Sequence, residues 1–163
     1  MIGLLNNDQA FYIARNMRAA DRREVLATCW HDDVDQFAKE ALALGGPAYC
    51  VEKDDGTPVA MGGLTTPQPM VWNAWMVATD DIGCVGVQLT RHCLYLIKYM
   101  FQDRQAHRIQ AASAAFHADA HNWLERLGFK YEAGMNGYGK AGETFLLYSM
   151  TEEPDGHVLH RQQ

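Results

Sequence analysis

His117 is the side chain best suited by type to exchange a proton near neutral pH, because an imidazole titrates at about 6.5. It stands where a strand-like run, Arg108–Ala115, gives way to a helix-like one, Ala118–Leu127. Asp80 and Asp81 follow the aromatic and β-branched run Val71–Ala78 and could relay a proton through water, while Asn73 within that run could orient a substrate. Tyr138 lies in a glycine-rich link, Gly134–Gly142, and Tyr148 in the last strand-like run; either phenol could give a proton to a leaving group. Such residues serve general acid–base chemistry. His117, Asp119 and His121 also raise a metal reading, since histidines at i and i+4 share a helix face. No third strong ligand accompanies them at a known spacing and no H-E-x-x-H motif occurs, so no metal is expected.

The cysteines, Cys29, Cys50, Cys84 and Cys93, form no C-x-x-C pair and read as reduced thiols of a cytoplasmic protein. Residues 1–8 lack the charged and apolar regions of a signal peptide, and no stretch approaches the ~20 apolar residues of a membrane span. The formal charge of −6 and the absence of a Lys/Arg run disfavour a nucleic-acid partner, which clustered cations would have to neutralise.

The elements that must position these residues follow from periodicity and punctuation. With 163 residues the chain fits one domain, expected over 1–150, followed by a polar, flexible tail over 151–163. Gln9–Met17, with Phe11, Tyr12 and Ile13, reads as an opening strand. Ala20–Trp30 reads as a helix, and Asp32 or Asp33 caps a second one that Gly45-Gly46-Pro47 stops. Ala48–Glu52 and Val59–Leu64 flank the turn Asp54-Asp55-Gly56-Thr57-Pro58, a hairpin whose second strand Pro67 and Pro69 should end. Val71–Ala78 is the most strand-like segment, with Trp72 and Trp75 on opposite faces. Asp80–Gly86 reads as a loop before an amphipathic helix, Val87–Met100. After Arg108–Ala115, the helix Ala118–Leu127 closes on Gly128, and Phe129–Glu132 and Thr144–Met150 supply the last strands. These elements predict an α/β fold, a mixed central sheet with helices on both faces.

That order, together with Trp123-Leu124-Glu125-Arg126-Leu127-Gly128-Phe129, resembles the GNAT superfamily of acetyl-CoA-dependent N-acetyltransferases over roughly residues 10–150. Ala120 fills the family's small-residue position before this motif, and His117 stands where an Asn is usual. A narrower similarity, to the small GNAT-like proteins of short-tailed bacteriophages, rests on Trp75–Asp80, the long helix and the ending at Phe129. Some of those are internal virion proteins and others acetylate host proteins.

The resemblance implies acetyl-CoA as cosubstrate. Its pyrophosphate would lie on backbone N–H groups of Gly83, Cys84, Val85, Gly86 and Val87, where a helix N-terminus attracts anions. Its pantetheine would pair with free backbone groups of Met76, Val77 and Ala78, with His117 on the cofactor side. Against the family's Arg/Gln-x-x-Gly-x-Gly/Ala, the segment Asp81-Ile82-Gly83-Cys84-Val85-Gly86 keeps only Gly86; Cys84 replaces the first glycine and Asp81 the cation. Leu124 stands where many members carry the tyrosine that protonates the leaving thiolate. His117 and Asp80 are then the candidate bases and Tyr138 the candidate acid of a direct transfer to an amine. The alternative is a non-catalytic GNAT-fold interaction or virion-assembly protein. Expected partners are acetyl-CoA and a host or virion protein, with dimers compatible with the fold and the host cytoplasm as location if the chain is phage-encoded.

Overall fold

A computed structural model describes residues 1–103 and 105–151; most of the expected tail, 152–163, lies outside the described residues. In chain order the elements are β1 (Ile2–Leu4), α1 (Asn7–Arg15), α2 (Ala19–Leu26), α3 (Val34–Ala43), β2 (Ala48–Glu52), β3 (Pro58–Gln68) and β4 (Val71–Ala78). Then follow α4 (Ile82–Gln102), β5 (Arg108–Ala114), α5 (Ala118–Leu127), β6 (Lys130–Met135) and β7 (Phe145–Thr151). The strands form one mixed sheet in the order β1-β2-β3-β4-β5-β7-β6.

Helices cover both faces. Ala10, Ile13, Ala14 and Ala38 of α1 and α3 pack on Cys50, Met61 and Val77, with Trp75 at the edge of that cluster. On the other face Met100, Phe101, Leu124 and Leu127 of α4 and α5 pack on Ile109 and Ala111, with Trp72 beside them. The two tryptophans thus lie on opposite sides of the sheet. Trp123 Nε1 donates to Thr90 Oγ1 at 3.1 Å and ties α5 to α4. Gly128 takes a left-handed φ of 99° and closes α5, a conformation that costs a residue with a Cβ.

Three sequence expectations change. The segment read as an opening strand is helix α1. Asn6 accepts from Gln9 N–H and Gln9 Oε1 accepts from Asn6 N–H, each at 3.0 Å, a capping box that outweighs the β preference of Phe11-Tyr12-Ile13. The opening strand is instead β1, paired with β2. Second, β3 runs past Pro67. Its register shifts between Thr65 and Gln68, so the missing proline N–H falls in an irregularity of the ladder. Third, the expected loop Asp80–Gly86 shrinks, because α4 already begins at Ile82. Gly83 and Gly86 occupy its first turns, in spite of the roughly 1 kcal/mol that a helical glycine costs relative to alanine.

The connection between β4 and β5 matters most for function. These strands run parallel and pair only at Val71–Arg108, Trp72–Ile109 and Asn73–Gln110. Beyond Asn73, β4 stays bonded to β3 as far as Ala78, and β5 stays bonded to β7 as far as Ala114. The sheet therefore consists of two half-sheets that part toward the C-terminal ends of β4 and β5.

Candidate functional site

The gap has a definite backbone chemistry. Thr79 N–H donates to Val59 O at 2.8 Å. Bonds in an antiparallel ladder alternate, so Val77 and Trp75 also spend their backbone groups on β3, while Met76 and Ala78 turn theirs toward the gap. Ala78 is already engaged by the chain itself. Its N–H donates to Asp21 Oδ2 at 2.6 Å, and its carbonyl accepts from Arg18 N–H at 2.9 Å. Of the three residues expected to bind pantetheine, only Met76 presents unpaired backbone groups to the gap.

Helix α2 sits across the opening and supplies two carboxylates one turn apart. Asp21, which is 3% exposed, binds the Arg18 guanidinium at 2.8 Å as well as Ala78 N–H. Glu24 Oε2 accepts from Ala114 N–H at 2.7 Å and Ser113 Oγ at 2.8 Å. One carboxylate thus satisfies the free edge of β4 and the other the free edge of β5. His117 lies between them, with Nε2 3.2 Å from Asp21 Oδ1 and Nδ1 3.0 Å from Glu24 Oε2. An ionised carboxylate only accepts, so two such neighbours favour the doubly protonated ring over the neutral one. The bond to Glu24 is the main cause that holds its pKa above the ordinary value, with burial opposing and the charges of Glu24 and Asp21 adding to the rise.

A cavity of about 860 Å³ passes through the gap, lined from one face by Trp75, Phe37 and Cys29 and from the other by Met76, Thr90 and Trp123. Arg18, Asp21, Glu24 and His117 border it, as do Tyr138, Gly83, Gly86, Val87 and Arg91. Asp80 is exposed on the β4–α4 turn and does not line it. Tyr138 packs on Phe145 with ring centroids 5.2 Å apart, whereas Tyr148 is buried in the core and stacked on His121. Leu124 is likewise a core residue.

At the start of α4, Ile82 N–H and Cys84 N–H bond back to Thr79 O and Asp81 O, and Gly83 N–H has no acceptor among the described residues. Gly83 and Cys84 are exposed, and a Cβ placed on Gly83 or Gly86 would meet open space. The Asp81 carboxylate, which replaces a cation in the resemblance, turns aside to Lys53 Nζ at 2.8 Å. Its charge is thereby compensated, and an ammonium is brought beside the helix N-terminus.

The two histidines at the start of α5 are each engaged by other groups of the chain. His117 is consumed by its carboxylates and His121 Nε2 lies 3.0 Å from Ala114 O. A different trio, Cys29, His31 and Glu40, brings its ligand atoms within 4.8 Å of one another. His31 Nδ1 accepts from Asp33 N–H at 3.2 Å, so a neutral ring carries its proton on Nε2 and donates it to Glu40. Burial pushes the Cys29 thiol up, and the His31–Glu40 contact ties the α2–α3 connection to α3.

Asp21 and Glu24 are the site residues that sequence reasoning missed. In Ala-Ala-Asp-Arg-Arg-Glu-Val-Leu they resemble the solvated face of a surface helix. The available signal was their i, i+3 spacing with Val25 and Thr28, which puts both acids on one side together with the residues that also line the cavity.

No protein-family model matches the chain, and no curated protein matches its sequence. Solved structures do match in fold. The acetyltransferase (GNAT family) of Bacillus anthracis superposes with a TM-score of 0.71 at 14% identity, covering 93% of this chain and 94% of that one. The ribosomal-protein-alanine N-acetyltransferase of Brucella melitensis gives 0.68 at 15%, covering 93% and 99%. The spermidine N-acetyltransferase of Vibrio cholerae gives 0.70 at 12%, covering 93% and 94%. The chain has the GNAT acetyltransferase fold.

Proposed function

We propose that this protein transfers an acetyl group from acetyl-CoA to an amine by direct attack. The observation that carries the reading is the parting of β4 from β5 beside the open N-terminus of α4. A gap with unpaired strand groups at Met76 suits an amide-bearing chain such as pantetheine. A helix start with Gly83 N–H free, Gly86 unobstructed and Lys53 alongside suits a pyrophosphate. In the transfer, the amine nitrogen forms a bond to the thioester carbonyl carbon, the C–S bond breaks, the nitrogen loses a proton and the thiolate gains one. Tyr138, which lines the cavity as Tyr49 also does, is the phenol we assign to protonate the thiolate. The exposed sides of Cys84 and Val87 mark the route by which the cofactor would enter.

The test is thermal unfolding and calorimetry with acetyl-CoA. Binding to the native state at about 100 times Kd raises stability by ~2.7 kcal/mol, so a clear rise in midpoint is expected. Gly86→Leu should fold, since its Cβ meets no protein atom, and should lose the shift. No shift of the wild-type protein at millimolar acetyl-CoA overturns the reading; a shift retained by Gly86→Leu places the cofactor elsewhere.

One observation favours a second reading, a non-catalytic interaction protein, of which a virion-assembly role in a bacteriophage would be one form. Both backbone groups of Ala78 are held by α2, so a cofactor chain entering there would have less strand edge to bind. Under the catalytic reading the acceptor includes an amine on a host protein, and acetylation of a host extract followed by mass spectrometry would identify it.

A further inference from the structure

We infer that Glu24 is the residue that receives the acceptor amine and takes its proton, an assignment that rests on the acetyltransferase reading above. Glu24 concentrates all its protein bonds on one oxygen. Oε2 accepts from Ser113 Oγ, Ala114 N–H and His117 Nδ1, at 2.8, 2.7 and 3.0 Å. Oε1 has no protein donor among the described residues. It is also not sealed off, because the only fully buried side-chain polar atom without a partner among them is His92 Nε2. The Glu24 side chain is 15% exposed and forms part of the cavity wall.

The other candidates in this cluster are committed. Both nitrogens of His117 are already engaged by carboxylates of the protein, at 3.2 and 3.0 Å. Asp21 spends Oδ1 on Arg18 and His117 and Oδ2 on Arg18 and Ala78. Asp80 lies outside the cavity. The gap thus has one edge, at Met76, that can hold an amide-bearing chain, and another, at Ala114, that carries a carboxylate with a vacant acceptor. A primary ammonium has three donors and no acceptor, which is the complement of that oxygen. His117, Ser113 and Ala114 N–H fix the carboxylate, so the amine is oriented by a group that cannot swing away. The ammonium gives one proton to Glu24 Oε1, which releases it to water. The free amine attacks the thioester, forming C–N as C–S breaks, and its second proton leaves as the thiolate is protonated.

Glu24→Gln tests this, because the amide oxygen can keep Ala114 N–H and Ser113 Oγ while an NH2 replaces the free oxygen. The probes are spermidine and a lysine-containing peptide with a free amino terminus, assayed by thiol release. Glu24→Gln is expected to keep the acetyl-CoA thermal shift and lose at least about a hundredfold in kcat/KM for the amines that the wild-type protein acetylates. The acidic limb of the pH–rate profile should also change. Glu24→Asp, which keeps the charge but shortens the reach, should recover part of the rate. Unchanged kcat/KM in Glu24→Gln overturns the assignment. So does a wild-type protein that binds acetyl-CoA but acetylates neither probe, with the cofactor reading left standing. A wild-type protein that does not bind acetyl-CoA overturns both.

Discussion

His117 draws its raised pKa from Glu24 and Asp21, and that has a consequence for stability. A group whose folded pKa exceeds its unfolded value of about 6.5 stabilises the native state fully below that value and loses the contribution as pH rises through the folded pKa. His117→Gln should therefore be less stable than wild type at pH 6, with the difference narrowing toward alkaline pH. Denaturant unfolding of both proteins across that range checks it; a pH-independent difference would mean that folding leaves the His117 pKa unchanged. At this scale the sequence showed which types could do chemistry but not which were free to do it. His117 was legible as a titrating residue, yet its two partners sit 93 and 96 positions away in the chain, where spacing carries no information. Asp80 looked suitable while Glu24 drew no notice, and only the fold separates an exposed turn from a cavity wall.

Elements were easier to read wherever local chemistry and burial agree. The α5–Gly128 ending, the helix after Asp33 and the hairpin at Asp54–Pro58 are set by side-chain caps and turns, which act within a few residues. Asp33 accepts from Asp35 N–H at 2.8 Å, as its position before Val34 suggests. The failure at α1 has the same origin seen from the other side, since a β-prone core hid a helix start four residues earlier. Asn6→Ala removes one half of the capping box and should cost about 1 kcal/mol. Urea unfolding measures it, and a neutral effect would mean that burial of Ala10, Ile13 and Ala14 holds α1 unaided. The splay of β4 from β5 left no trace in either strand's sequence, because it depends on what α2 places between them.

At the scale of the molecule, the formal charge of −6 makes the chain attractive to cations at long range, and the cavity adds the unpaired oxygen of Glu24 at short range. For a polycationic acceptor the two effects combine. Salt screens the first within about 10 Å at 0.1 M, so kcat/KM for spermidine should fall by about threefold or more between ~0.01 and ~0.1 M salt. The decline for a singly charged amine should be shallower; equal slopes would show that net charge plays no part in capture. The two half-sheets touch along only three residue pairs. Beyond them the distance between β4 and β5 is spanned by an aspartate, an imidazole and a glutamate instead of by peptide hydrogen bonds. The aperture of the gap is therefore a side-chain length. Lengthening or shortening a residue of α2 by one methylene would regauge the opening while every strand keeps its register, so the bore of the site can be altered without touching the fold that frames it.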